Sequence, residues 1–483
     1  MSVADIASGE SQAREGGLRA QLDAMQAANR RDGVPDRARR LDWLGRIASM
    51  VKQHQGAIIR AVDADFGGRS PEETLLAEIF TTRASVRHAR GRLAAWMRPR
   101  RRAMDLTFKP ARGRLLPQPL GVVGIISPWN YPLFLALSPL VGAVAAGNRA
   151  MLKPSEFTPR TAALLAEMMA QYFAVDEVAV VQGGEETGEA FAKLPLDHLL
   201  YTGSTRVGRK VMAAAAENLT PVTLELGGKS PAIIGPEAAM EAAVTSIVRG
   251  KLFNAGQTCV APDYVLVPKD QVGVFVEKAL AVAARFYPTL DDNPDYSAIV
   301  NQAQFDRLQA MLAEAEAQGA RAVSAGSDSG SDSGGGSGRK IALTMLLETT
   351  ENMAVRRQEI FGPLLPVIPY ADLGAAIAHV NGGERPLALY VYDRNRGNID
   401  RVLGETVSGG AVVNDCLWHA GVENLPFGGV GASGMGQYHG RDGFETFSRL
   451  KPVMYQSRLN GMWLLQPPYG ARAKGMIKLL LKR

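Results

Sequence analysis

Cys259, in the run Phe253-Asn254-Ala255-Gly256-Gln257-Thr258-Cys259, is one of only two cysteines in 483 residues. A lone thiol framed by small and polar residues has the setting of a nucleophile, and Cys416 has no such frame. An isolated cysteine is also often a small buried hydrophobe, so the chemistry must come from partners. A thiol attacking a carbonyl needs a lowered pKa or a base, donors for the developing oxyanion, and a way to resolve the covalent intermediate.

Each requirement has a candidate. Asn130, in Ser127-Pro128-Trp129-Asn130-Tyr131-Pro132, follows an apolar run that reads as a strand, and its amide can donate to an oxyanion at the sheet edge. A turn residue bonding its own backbone is the plainer alternative. Glu225 stands in Val222-Thr223-Leu224-Glu225-Leu226-Gly227-Gly228-Lys229, a carboxylate inside an apolar strand. Unpaired charge is expensive there, so it has either a function, such as activating water, or a salt-bridge partner such as Lys229. The paired glycines let a ligand or backbone come close.

Two further stretches suit a nucleotide. Tyr201-Thr202-Gly203-Ser204-Thr205-Arg206-Val207-Gly208 runs from a strand into a helix whose first amides can hold a pyrophosphate, although GxxxxG alone is weak and also fits an ordinary turn. Met151-Leu152-Lys153-Pro154-Ser155-Glu156 ends another strand and offers a cation and a carboxylate to ribose hydroxyls, with solvated charges as the alternative. An acidic group there favours NAD over NADP, and the lysine weakens that preference.

The elements that must position these residues alternate. Helical patterning fills the first hundred residues, with Leu18, Leu22 and Met25 on one stripe and Leu41, Leu44, Ile47 and Val51 on another. From Leu120 short apolar runs alternate with helical segments: Gly121 to Ile126, Ala150 to Leu152, Val178 to Val181, His198 to Tyr201 and Val222 to Leu226. A second set follows Lys229, at Pro231 to Ile234, Tyr264 to Val267, Leu364 to Ile368 and Leu387 to Tyr392. The class is therefore α/β with parallel sheets in two portions, as the length also suggests.

Composition narrows the options. Two cysteines and six histidines give no disulfide framework and no metal-ligand spacing. Fifty-four basic and 48 acidic residues are interspersed, which argues against nucleic acid despite the net charge of +6. The N-terminus lacks signal-peptide features, so cytoplasmic residence is expected. Residues 115–148 carry no charge, but Pro128, Pro132 and Pro139 argue for a buried strand, turn and helix rather than a membrane span. The Ser/Gly run from Gly326 to Ser337 reads as a surface loop, and the basic, apolar tail ending at Arg483 as a segment that packs on a partner subunit more than on a membrane.

With these residues assembled, the chain resembles the aldehyde dehydrogenase superfamily along nearly its whole length. The likeness rests on Pro128-Trp129-Asn130-Tyr131-Pro132, Lys153-Pro154-Ser155-Glu156, Gly203-Ser204-Thr205, Leu224-Glu225-Leu226-Gly227-Gly228-Lys229, Gly256-Gln257-Thr258-Cys259, Glu359-Ile360-Phe361-Gly362-Pro363 and Pro426-Phe427-Gly428-Gly429-Val430-Gly431. Within the superfamily it is most similar to the shorter branch that holds fatty and aromatic aldehyde enzymes.

The resemblance implies a Rossmann-like NAD-binding domain (1–97 and 120–228), an α/β catalytic domain (229–425) and bridging segments (98–119 and 426–483) that join a homodimer. It implies Cys259 as nucleophile, Glu225 as general base and Asn130 as oxyanion donor beside the Cys259 amide. Lys153 and Glu156 would hold the adenosine ribose, and Ser204, beside Gly203, the pyrophosphate. Glu359, otherwise an ordinary helix-end charge, would hold the nicotinamide ribose, with Phe361 packed nearby and Trp129 in the same cofactor site. Arg206 departs from the usual motif and bears on the choice between NAD and NADP. The implied reaction is NAD(P)-dependent oxidation of an aldehyde, aromatic or cinnamyl-type, with a medium- or long-chain aliphatic aldehyde as the alternative. A cofactor-independent thiol esterase and a non-catalytic nucleotide-binding protein are the rival readings.

Overall fold

The computed structural model describes residues 3–325 and 338–481, with side chains from Glu15 onward. The run Gly326 to Ser337, expected as a surface loop, and the last two tail residues lie outside the described residues.

Six strands form one sheet in the order Gly434–Met435, Val222–Leu226, His198–Gly203, Val122–Ile126, Arg149–Lys153, Val178–Val180. Only Gly434–Met435 runs antiparallel to its neighbour. Val123, Ile125, Ala150, Leu152 and Leu200 are fully buried, as expected of strands covered on both faces. The strand order reverses around Val122–Ile126, and the crevice at the carboxyl ends of such a sheet is where ligands bind. Ser127, Pro154 and Ser204 follow directly on those ends.

A second sheet has the order Arg321–Ser324, Thr344–Leu347, Leu364–Tyr370, Tyr264–Pro268, Pro231–Ile234, Ala388–Tyr392, Gly410–Val413. It is parallel apart from Arg321–Ser324. A third, antiparallel sheet joins Arg100–Arg102, Arg112–Pro119 and Ser448–Tyr455.

Every strand expected from an apolar run is present, with ends unmoved or moved by one or two residues. The strands not foreseen include the half-exposed Arg112–Pro119 and Ser448–Tyr455, whose apolar residues are broken by charges and prolines, and the short, half-exposed Gly410–Val413. The segment from 426 divides between two sheets. Gly434–Met435 adds to the first sheet, and only Ser448–Tyr455 reaches the third. Gly434, at φ 150°, permits this, since a Cβ there would strike the Leu224 carbonyl.

The uncharged stretch is shared among strands, a turn and the 13-residue helix Phe134–Ala146, which is buried on nearly all sides. No helix among the described residues is long and apolar enough to cross a membrane. The helix ends at Gly147, φ 94°, where Arg40 donates to the Ala145 and Ala146 carbonyls at 3.1 and 2.7 Å. A cation thus satisfies the negative helix end.

The N-terminal helices cover the first sheet. Leu18, Leu22 and Met25 are buried, as are Leu44, Ile47 and Val51, while Leu41 is half buried. Glu177 fastens them, accepting from Trp43 Nε1 and Arg46 Nη1, both at 3.0 Å.

Candidate functional site

All ten residues singled out in the sequence line one cleft of about 1770 Å³ between the two large sheets: Trp129, Asn130, Lys153, Glu156, Gly203, Ser204, Glu225, Cys259, Glu359 and Phe361. The carboxyl edge of the first sheet supplies one wall, and the loops of the second supply the other.

Cys259 is half buried, in a turn reached after the helix Met240–Leu252. Between them Asn254, Ala255 and Gly256 have φ of 53°, 51° and 75°, three successive left-handed residues. Such backbone costs roughly 1–3 kcal/mol per non-glycine residue and persists only where the surroundings over-determine it. They do so here. Asn254 Nδ2 donates to the carbonyls of Asn130 and Gln257, each at 3.1 Å. Gln257 Nε2 donates to Asn254 O and Ala298 O, both at 3.0 Å, while its Oε1 accepts from Val300 N at 2.9 Å. Cys416, in contrast, is fully buried and donates its thiol proton to Ser246 O at 3.2 Å. Its place is in the packing of the core.

Asn130 is buried at the end of Val122–Ile126 and spends one amide proton on Gln257 O at 3.1 Å. The second amide proton remains for a ligand. The turn-residue alternative does not describe it, because its side chain reaches across to the cysteine loop. Glu225 is 1% exposed and neither carboxylate oxygen has a hydrogen-bond partner. Its salt-bridge alternative fails, since Lys229 Nζ contacts Asp263 and donates to Val355 O and Gln358 O at 2.9 and 3.0 Å.

Electrostatics tie the acid and the thiol together. Burial, then the charge of Glu359, holds the Glu225 carboxyl well above the usual carboxylate range. Burial and the two carboxylates Glu225 and Glu359 push the Cys259 thiol up, against the backbone amides of Cys259 and Val260. A protonated Glu225 therefore accompanies a thiol that is easier to ionise, and a cation brought into the cleft would favour both charged forms.

At the sheet edge, Lys153 is 3% exposed and pairs with the exposed Glu156 at 2.9 Å. Ser204 caps the helix Thr205–Ala216, accepting from Val207 N at 3.4 Å, and Arg206 lines the same part of the cleft. Ser127 Oγ and Thr202 Oγ1, both buried near these ends, have no partner. Helix amides, a paired cation and carboxylate, and orphaned hydroxyls in so large a cleft fit a dinucleotide.

Glu359 reaches in from the far wall, its carboxyl pushed up to about 8 by burial and by Asp263. A Cβ on Gly227 would overlap its carboxylate, so the glycine is what lets it enter. The loop that carries it is clamped: Asp263 accepts from Ile360 N at 2.8 Å, and Arg307 donates to Ile360 O at 2.7 Å. Phe361, at φ 51°, meets Trp129 edge-on at 5.3 Å.

The groups behind these residues are not marked in the sequence. Asn254 and Gln257 lay in the cysteine motif but counted only as polar neighbours. Arg69, Glu73 and Asp263 carried no local signal, because their partners are distant in the chain.

The aldehyde dehydrogenase family matches residues 10–453. The chain is 49% identical to a probable coniferyl aldehyde dehydrogenase of Pseudomonas aeruginosa over 482 residues, 100% of both chains. Its fold is similar to the substrate-bound Staphylococcus aureus AldH, with a TM-score of 0.89, 35% identity and 95% and 99% of the two chains covered. It is also similar to a Mycobacterium tuberculosis aldehyde dehydrogenase complexed with NAD+, at TM-score 0.81, 29% identity and 92% and 91% coverage.

Proposed function

Because the chain belongs to the aldehyde dehydrogenase family, we propose that Cys259, Asn130 and Glu225 oxidise an aromatic or cinnamyl-type aldehyde, coniferyl aldehyde among them, to its carboxylic acid. The observation that carries this reading is the convergence of a thiol, a free amide proton and an unpartnered buried carboxylate in one cleft.

Cys259 ionises and adds to the aldehyde carbon, and the oxyanion of the thiohemiacetal accepts from Asn130 Nδ2 and the Cys259 backbone amide. A nicotinamide dinucleotide bound in the cleft supplies the acceptor for the hydride. Lys153 and Glu156 hold its adenosine ribose, Gly203 and Ser204 its pyrophosphate, and Glu359, Phe361 and Trp129 its nicotinamide end. Glu225 then takes a proton from water, which attacks the thioester and frees Cys259. NAD is the preferred form, since the Glu156 carboxylate opposes a 2′-phosphate. Lys153 and Arg206 oppose that preference, so NADP is also accepted.

A series of rings beside the cysteine loop supports a planar substrate. Tyr131 bonds Thr258 at 2.6 Å next to the thiol, stacks with Phe253 at 6.4 Å, and Phe253 meets the exposed Trp418 at 6.0 Å. A 49% identical relative named for coniferyl aldehyde supports the same class. We assign the NAD-binding part to 1–97 and 120–228 and the catalytic part to 229–425. A homodimer formed through the third sheet completes the reading, because Ser448–Tyr455 is its edge strand and offers unpaired backbone groups. Cytoplasmic residence belongs with it, since a free thiol has to stay reduced to react.

The test is turnover of aliphatic, benzyl-type and cinnamyl-type aldehydes with NAD and with NADP. A kcat/KM highest for cinnamyl-type aldehyde with NAD is expected. Highest kcat/KM for a long aliphatic aldehyde would overturn the substrate assignment, and NADH formation by Cys259→Ala would overturn the mechanism.

A further inference from the structure

Arg69 is the largest fully buried side chain of the described residues, 1% exposed, and it lies in none of the motifs that make up the cleft. Its guanidinium is held between two rings, 4.7 Å from the centre of Phe66 and 5.0 Å from that of Tyr131. Nη1 donates to the main-chain carbonyl of Asn130 at 2.8 Å, while Nε and Nη2 have no hydrogen-bond partner. Nε stands 3.9 Å from Glu73, beyond a hydrogen bond. A buried cation with so little direct pairing is costly, and its one close bond is spent on the residue that presents the oxyanion donor.

The groups around it converge on the same place. Glu73 accepts from Asn254 N at 2.9 Å and Ser297 Oγ at 2.6 Å, so it fixes the left-handed start of the cysteine loop. Glu78 accepts from Leu133 N and Phe134 N at 2.9 and 2.8 Å, fixing the segment just after Asn130. Tyr131, under the guanidinium, bonds Thr258 beside the thiol. Asn254 Nδ2 shares the Asn130 carbonyl with Arg69.

We propose that Arg69 is a positioning residue for the acylation step: through its bond to the Asn130 carbonyl and its stacking on Tyr131, it fixes the Asn130 amide over the thiol. It does not line the cleft. Removing it leaves Asn254 Nδ2 alone on the Asn130 carbonyl, which loosens the peptide, weakens the oxyanion bond and leaves the water-activating side of the site alone. The inference rests on the role given above to Asn130.

The test measures the pre-steady-state burst of NADH, steady-state turnover and NAD affinity in Arg69→Met, Arg69→Lys, Asn130→Ala and Arg69→Met/Asn130→Ala. Loss of one oxyanion donor costs roughly 100- to 1000-fold, so a misplaced donor is expected to slow the burst about 10- to 100-fold. NAD affinity should stay within about twofold, and Arg69→Lys should recover part of the rate. The double variant should be no slower than Asn130→Ala, since residues acting through one interaction are non-additive. A folded Arg69→Met with an unchanged burst, or a double variant slower by the product of the two effects, overturns the proposal. If Arg69→Met does not fold, Phe66→Leu, which removes one of the stacking rings, takes its place with the same outcomes. An unchanged burst in Asn130→Ala would instead overturn the oxyanion assignment, which keeps the two failures apart.

Discussion

At the scale of the residue, the division of labour proposed for Cys259 and Glu225 would set the products. Glu225→Gln keeps the shape of the site and removes the base, so a first turnover of NADH should survive while steady-state turnover falls about 100-fold or more. Stopped-flow absorbance separates the two phases, and loss of the burst as well would place Glu225 in acylation. The pH dependence has a definite sign. Burial disfavours the charged form of Glu225, so its folded-state value lies above that of an ordinary carboxylate. The base is inactive below that value, and thioester hydrolysis should rise with pH along a limb centred well above 4.5. That limb should vanish in Glu225→Gln.

At the scale of the element, the turn after Val222–Leu226 and the loop around Glu359 are cut to fit one another. Gly227 lies where any side chain would displace the Glu359 carboxylate. Gly227→Ala should therefore weaken cofactor affinity about tenfold, near 1.4 kcal/mol and within the usual cost of overpacking. Alkylation of Cys259 should be no slower than in the parent, because moving the Glu359 carboxylate away removes part of what pushes the thiol up. Titration of NAD against protein fluorescence checks the first, and equal loss of thiol reactivity would mean that the change spreads beyond the loop. The paired glycines were visible in the sequence, but the carboxylate that Gly227 makes room for stands more than a hundred residues away, and nothing local announces it.

At the scale of the whole molecule, three sheets share one chain with separate tasks. The edge strand Ser448–Tyr455 leaves Met454 and Tyr455 exposed, and the tail beyond it exposes Leu459, Trp463 and Tyr469. If these surfaces join two copies, sedimentation should give a mass twice that of one chain, and removing residues 457–483 should shift the particle toward monomer. An intact chain that sediments as a monomer would end that reading.

Much of the site was legible in the chain because its motifs sit where strands end, and periodicity alone locates strand ends. Asn130, Lys153 and Ser204 lie at or just past strand ends and Glu225 one residue before one, whereas Cys259 follows a helix and was marked by its motif, so residue type and spacing determined what they can do. Only the tertiary structure decided what surrounds them. It gave Lys229 to Asp263 and left Glu225 unpaired in the cleft, it bent three residues into left-handed backbone ahead of the thiol, and it set Arg69 behind Asn130. The reason is physical: burial and charge neighbours are properties of contacts between distant segments, and those contacts exist only once the sheets have packed.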